Sequence, residues 1–242
     1  MQLIRSYVLC VLSFCLPASA LAEGLIYQLP GDDAWVRFKV NGKGIAPDGT
    51  VTVTIEGTQT LRSVGRTTVD DEQCRWIELE TEMTFQRKGG QPATLNEIIK
   101  ILVPEMYVVK GKNPRDHVLK AYKGTSAETI RELDVKGKDA REIQGLDEVV
   151  YGPLKQVSAL SATEIKTEKR SWTCEGFTGK TAEDGTVFTT ETRTNKDAPF
   201  GVVTYRYEKE RQRNNQSQGK RTMEWLLVES GKDAKSAAPD AK

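Results

Sequence analysis

The chain has 242 residues, of which 38% are hydrophobic and 29% charged, and this is enough for one ordinary domain with a buried core. Its 35 basic residues almost balance its 34 acidic residues. Because the chain is close to neutral, no overall field attracts it to nucleic acid or to an anionic membrane surface, and we predict no nucleic-acid partner.

Residues 1–22 have the features of a secretory signal peptide. Arg5 supplies a positive n-region, residues 7–16 form an apolar run too short to span a bilayer, and small residues allow cleavage after Ala20 or Ala22. Cys10 and Cys15 would be removed with this segment, and no later segment is apolar enough to be transmembrane. The sequence therefore predicts a periplasmic or extracellular protein, without a transmembrane anchor after cleavage, in a compartment that permits disulfides.

The next part of the chain alternates apolar and polar residues, which predicts β-strands. We expect strands at 34–40, 50–56, 61–69 and 73–85, with turns at 41–44, at 47–49 and at Asp70-Asp71. In the last strand one face carries Ile77, Leu79, Met83 and Phe85, and the other carries Cys74, Trp76, Glu78, Glu80 and Glu82. Short turns between successive strands predict an antiparallel meander.

Two cysteines remain after signal removal, and their surroundings mirror each other. Cys74-Arg75-Trp76 recurs in reverse as Trp172-Thr173-Cys174, and facing residues of an antiparallel pair have a constant number sum. This pattern predicts that the two segments pair, with Glu78 opposite Arg170, and that Cys74 and Cys174 form a disulfide. Such a bridge closes a loop of about 100 residues, worth about 4.7 kcal/mol in the chain-entropy description.

The middle of the chain has a different residue pattern, which predicts helices. Thr94 and Glu97 form a capping box, and apolar residues at 95, 98, 99 and 102 recur at helical spacing until Pro104. Further helices are predicted from Asn113-Pro114 to Lys123 and from Thr125 to Leu133. Residues 134–154 are rich in charge and glycine and predict loops.

Strands are predicted again at 156–167, 168–178, 186–194, 200–209 and 220–230, the last apolar on both faces and therefore interior. The order predicts an α+β fold: a large curved antiparallel sheet, a half-barrel, with helices inserted between its N- and C-terminal strands and covering one face. Two small sheets with separate cores are the alternative. The predicted domains are a signal peptide at 1–22, one α+β domain at 23–230 and a disordered tail at 231–242.

The signal peptide, the strand meander, the helical insertion and the late strand Pro199-Phe200-Gly201-Val202-Val203 together resemble the periplasmic lipoprotein-localisation carrier superfamily. The resemblance covers roughly Leu25 to Glu229. It is closer to uncharacterised secreted bacterial proteins with CRWIE-like and PFGVV-like strands. It implies a half-barrel whose sheet and helical lid enclose an apolar cavity for acyl chains. The charged segment 134–154 and the cysteine pair depart from the true carriers.

Catalytic groups are few in this sequence. His117, beside Asp116, is the single histidine, and two cysteines without a CxxC pair disfavour a structural zinc site, so we predict no catalytic residue, no metal site and no cofactor. Glu78, Glu80 and Glu82 could imitate the paired carboxylates of a glycoside hydrolase. A solvated strand face is the simpler interpretation.

The sequence leaves three functions open. The first is a secreted, non-catalytic cell-envelope protein that binds a lipid or other apolar ligand between sheet and helices. The residues predicted to contact that ligand are Phe38, Ile77, Leu79, Met83, Phe85, Ile98, Leu102, Val118, Val203 and Tyr205. The second is an envelope interaction module with a filled core and a protein partner, and the third is a carboxylate-based hydrolase.

Overall fold

The computed structural model describes residues 23–109, 112, 114–139, 142, 150–151, 156–183, 185–214 and 216–238. The predicted signal peptide lies outside these residues, as do parts of the predicted loop segment 134–154. No helix within the described ranges has the length and apolar character needed to cross a membrane.

Most of the described chain is extended. The strands are β1 (Glu23–Gly24), β2 (Trp35–Ile45), β3 (Val51–Val69), β4 (Glu72–Arg87), β5 (Ala93–Pro104), β6 (Lys120–Gly124), β7 (Arg131–Leu133), β8 (Val150–Tyr151), β9 (Gln156–Lys166), β10 (Ser171–Glu183), β11 (Thr186–Thr194), β12 (Val202–Arg213) and β13 (Gln216–Gly231). Single 3₁₀ turns occupy Glu105–Tyr107, Pro114–His117 and Ala127–Thr129.

Eleven of these strands form one open antiparallel sheet, in the order β7-β6-β5-β4-β3-β2-β13-β12-β11-β10-β9. The pairing of β13 with β2 joins the two ends of the chain at the middle of the sheet. The prediction of one large antiparallel sheet that includes β13 as an interior strand is therefore confirmed. The short strands β1 and β8 pair separately.

The predicted α+β class is wrong, because no helix covers a face of the sheet in the described part of the chain. The segment predicted as the first helix is β5, which pairs with β4 on one side and β6 on the other. The second predicted helix is a 3₁₀ turn followed by β6, and the third is a 3₁₀ turn followed by β7. The lid that the carrier resemblance implies is thus absent from this part of the structure.

The mistaken helix at β5 has a physical explanation. Ile99, Ile101 and Val103 face the main core, while Ile98 faces a second cluster on the opposite side of the sheet. A strand buried on both faces shows no alternation, and its apolar run resembles a buried helix segment. Its content of β-branched residues favours a strand.

The hairpin between β3 and β4 was predicted at the right place. Asp70 and Asp71 have φ values of 49° and 65°, and Val69 pairs directly with Glu72. This is a two-residue hairpin turn whose backbone twist matches the twist of the flanking strands. Two other predictions were wrong: the strands predicted at 50–56 and 61–69 are parts of the single strand β3, which begins at Val51, and residues 41–44 continue β2.

The sheet curves around the segment between β1 and β2. Tyr27 stacks on Phe177 of β10 with ring centroids 5.6 Å apart, and Asp32 pairs with Arg75 of β4. These strands are six inter-strand spacings apart, about 29 Å along a flat sheet. Five residues extend at most about 18 Å, so side-chain reach and sheet curvature together let one segment contact both strands.

Residues 231–238, predicted to be part of a disordered tail, instead lie against the convex face of the sheet. The Glu78 carboxylate accepts hydrogen bonds from Ser236 Oγ (2.7 Å), Ala237 N (2.9 Å) and Ala238 N (3.3 Å). Ala238 is 1% exposed and packs with Ile98 and neighbouring aromatic rings. We call residues 232–238 the C-terminal strap.

The predicted pairing of the two cysteine segments is wrong. β4 lies between β3 and β5, whereas β10 lies between β9 and β11, and Glu78 faces Arg62 and Lys100 rather than Arg170. Cys74 and Cys174 are both free and buried. Cys174 belongs to the main core, whereas Cys74 is on the face of β4 that carries Glu78.

We therefore expect the two thiols to be protected in the protein without residues 1–22. Burial raises the pKa of both the Cys74 and the Cys174 thiols, which lowers the thiolate fraction at neutral pH. In a reducing-agent-free thiol assay they should react about a hundredfold or more slowly in the native protein than in denaturant. An added Thr94→Cys, at an exposed position, is the control for reagent access. A denatured protein with no reactive thiol would support the sequence-predicted bridge instead.

Candidate functional site

The predicted ligand residues do not line one cavity. Phe38, Ile77, Leu79, Met83, Val203 and Tyr205 are all at most 7% exposed and belong to the main core. Tyr205 packs against Trp225 with ring centroids 5.3 Å apart. In this region the concave face is filled by its own side chains.

Three further predicted residues are separated from that core interior. Ile98 and Leu102 lie on the convex face of β5, since their neighbours Ile99, Ile101 and Val103 face the core. Val118 is partly buried and packs against the edge of the core. The helical spacing that grouped Ile98 with Leu102 therefore placed them on the wrong side of the sheet.

Phe85, the remaining predicted ligand residue, lines an open cleft of about 560 Å³. The cleft lies at the end of the sheet where β3 begins and β4 ends, and we call it the β3–β4 cleft. Its lining residues are Val53, Ile55, Phe85, Arg87, Gln91, Ala93 and Arg221. This volume is in the range of small-molecule sites, and the lining combines apolar side chains with a few polar groups.

The strand register arranges this lining in two rows that cross the sheet. One row runs from Met223 through Gly42, Ile55 and Phe85 to Ala93 and is apolar. The row nearer the sheet end runs from Lys209 through Arg221, Gly44 and Val53 to Arg87. The cleft thus has an apolar floor with cations on both sides of its outer end.

Two glycines of β2 are needed at this place. A Cβ on Gly42 would lie 2.2 Å from Met223 Sδ, and a Cβ on Gly44 would lie 2.6 Å from Val53 Cγ1. Without side chains at these two positions, Met223 and Val53 can pack over β2. The predicted turn at 41–44 mistook glycines that permit close packing for glycines that permit a turn.

Sequence reasoning missed Arg87 and Arg221, although a signal was present. Side chains of a strand alternate between faces, so Arg87 continues the face of Met83 and Phe85. Arg221 similarly continues the face of Met223, Trp225 and Leu227. Following each apolar face to the end of its strand would have placed both cations on the concave side.

The carboxylates considered for hydrolysis are held by structural contacts. Glu78 is fully buried and binds Arg62 Nη1 at 3.1 Å as well as the C-terminal strap, and Glu80 also pairs with Arg62. His117 stacks on Tyr107. Among the described residues there is no group of three or more histidine, cysteine or acidic side chains placed to hold a metal ion.

These observations define an antiparallel open-sheet protein with an apolar, cation-flanked cleft on its concave face. No family model matches the chain, and no curated protein matches it. One solved structure that matches is a protein provisionally described as exported, with a YmcC-like fold, from Bacteroides fragilis. It is 9% identical, the match covers 86% of this chain and 99% of that one, and the TM-score is 0.33.

Two other solved structures also match the chain. One, provisionally described as a lipoprotein, is from Parabacteroides distasonis, with 10% identity, 86% and 100% coverage and a TM-score of 0.31. The other is a porin-like protein from Bacteroides uniformis, with 8% identity, 85% and 100% coverage and a TM-score of 0.24.

Proposed function

We propose that this protein is a secreted, non-catalytic cell-envelope protein that binds a lipid or other apolar ligand in the β3–β4 cleft. The signal-peptide pattern of residues 1–22 supports export. This site differs from the predicted one: it lies at the open end of the concave face and not between the sheet and helices. Phe85 is the one residue common to the predicted and the proposed site.

The observation that carries the proposal is the apolar floor of the cleft. Ile55 and Phe85 are directly opposite each other on β3 and β4, and Ala93 follows on β5. Leu95, two residues further along β5 and 37% exposed, extends the apolar surface beyond the cleft. Burial of alkyl groups against this surface would supply roughly 0.8 kcal/mol per methylene.

A cleft-filling variant tests the proposal. Ala93→Trp places a large ring in the cleft at an exposed position, so we expect folding to persist and the affinity for a neutral probe, methyl dodecanoate, to fall about tenfold or more. The measurement is displacement of an environment-sensitive dye. Thr94→Trp is the matched control, because it adds the same ring on the opposite face of β5.

Native mass spectrometry of protein purified from its own host gives an independent check. A retained apolar adduct that is reduced in Ala93→Trp but kept in Thr94→Trp supports the proposed site. If neither protein retains an adduct and neither binds the probe, the proposal is overturned.

The filled core favours one second candidate. The tight packing of Phe38, Tyr205 and Trp225 is what an interaction module with a filled core requires. Such a module would use the 11-residue strand β9, which ends the sheet order and therefore has one side without a partner strand in that sheet. Replacing Leu160 of β9 by proline would weaken binding of a strand-forming partner and leave the cleft probe unaffected.

A further inference from the structure

We infer that the β3–β4 cleft selects an anionic amphiphile: an alkyl chain with a carboxylate or phosphate head group. This inference rests on the proposed function and adds the chemical class of the ligand. It is carried by three cations that the strand register places in one row of the concave face at the outer end of the cleft.

The first step is the position of the two arginines. Arg221, Gly44, Val53 and Arg87 occupy matching positions on the neighbouring strands β13, β2, β3 and β4. The two arginine backbones are three strand spacings apart, about 14 Å, with only a glycine and a valine between them. Long side chains from both sides can therefore reach a group placed above Val53, and guanidinium groups bind carboxylate and phosphate in a bidentate manner.

The second step is that a third cation extends the same row. Lys209 of β12 is the direct cross-strand partner of Arg221, and its Nζ lies 5.0 Å from the centroid of the Phe188 ring. The row thus contains three basic side chains.

The third step is the sidedness of the charge. The acidic residues of the same stretch of β12, Glu208 and Glu210, alternate with Lys209 and so belong to the convex face. Glu208 pairs there with Lys220 at 3.0 Å. In a chain with a formal net charge of +1, the row at the cleft therefore concentrates positive charge on one side of the sheet.

The fourth step is that the cations lie directly beside the apolar surface of the cleft. Phe85 and Arg87 are two residues apart on one face of β4, and Ile55 and Val53 have the same relation on β3. An alkyl chain lying on Ile55 and Phe85 would place its head group at the cationic row. This geometry fits an amphiphile better than a wholly apolar molecule, which would leave the cations without a partner from the ligand.

Three probes with the same alkyl chain test the inference by calorimetry: dodecanoate, dodecyl phosphate and methyl dodecanoate. We expect the two anionic probes to bind roughly tenfold or more tightly than the neutral ester. Raising the ionic strength should weaken the anionic probes and leave the ester unchanged. Comparison of the two anions distinguishes a carboxylate from a phosphate head group.

Arg87→Gln and Arg221→Gln should each reduce anion affinity roughly tenfold or more and should reduce methyl dodecanoate affinity by a clearly smaller factor, because the ester carries no charge for the guanidinium to pair with. Lys43→Gln is the matched control, since Lys43 is exposed and next to Gly44 but alternates to the convex face. Arg87 is exposed, so its variant remains informative if Arg221→Gln does not fold.

The outcomes separate this inference from the proposed function. Equal binding of all three probes with no effect of Arg87→Gln overturns the anionic preference and leaves the apolar site in place. Failure of all three probes to bind overturns both. Tight anion binding that is lost equally in Lys43→Gln would show unspecific attraction and also overturn the inference.

Discussion

The double variant Asp32→Asn/Glu105→Gln is expected to lower the free energy of unfolding by about 3–5 kcal/mol, because it leaves a fully buried guanidinium without a counter-ion. Arg75 has no solvent exposure, pairs with Asp32, and approaches Glu105 with Nη2 at 2.8 Å and Nε at 3.0 Å. Its Nη1 also donates to Ser63 Oγ at 2.8 Å. A hydroxyl alone cannot replace two carboxylates.

This network also ties the segment before β2 to the sheet. Asp32 precedes β2, Arg75 is on β4, and Glu105 follows β5. Loss of the two charges therefore affects the contact by which the segment is held inside the curved sheet. Chemical denaturation followed by tryptophan fluorescence gives the free energy of unfolding.

Two further variants test whether the unpaired charge of Arg75 causes the loss of stability. Adding Arg75→Met to the double variant should restore most of the lost stability, since removing a buried charge together with its partners is often neutral or stabilising. Glu229→Gln removes the partner of Arg37 and Lys169, whose side chains are 44% and 63% exposed, and should cost less than about 1 kcal/mol. Equal losses in the double and triple variants would contradict the explanation by an unpaired buried charge.

Several strands of the sheet could be predicted from the sequence. The strand 186–194 was predicted with the bounds that β11 has, and the interior position of β13 was predicted from its apolar centre. In both strands, the presence or absence of apolar–polar alternation indicates which faces are buried. The turn at Asp70-Asp71 was predictable because its residues tolerate a positive φ.

What could not be predicted depends on contacts distant in sequence. The convex face of β5 is buried because the C-terminal strap lies on it, and a local window at 94–104 contains no sign of residues 236–238. Lys100, inside that window, is 4% exposed and donates to the carbonyl of Ala238 at 2.9 Å. The strap itself is small and charged, which is also the composition of a disordered tail.

The predicted pairing of the Cys74 and Cys174 segments was wrong for a different reason. Matching motifs in two strands specify a register only if the strands are neighbours, and the number of intervening strands is set by the whole topology. Here five strands separate β4 from β10. Most of the predicted ligand residues lie in the filled core, since residues on one apolar face can fill a core as well as line a cavity.

Glu78→Gln is expected to release the C-terminal strap and to lower the free energy of unfolding by about 3 kcal/mol. The carboxylate is fully buried, receives three hydrogen bonds from the strap, and faces Arg62 on one side and Lys100 on the other. Hydrogen bonds to a charged group contribute about 1.5–3 kcal/mol each. A neutral amide keeps the shape but weakens all of them at once.

Limited proteolysis separates release of the strap from general destabilisation. Trypsin cleaves after Lys235, next to the bound residues 236–238, and we expect this cleavage to become about a hundredfold faster in Glu78→Gln. Glu80→Gln is the matched control, because Glu80 shares Arg62 but makes no hydrogen bond to the strap. If Glu80→Gln exposes the strap as strongly, the two carboxylates act only through Arg62, and the strap is held by its apolar contact at Ala238 rather than by the buried charge of Glu78.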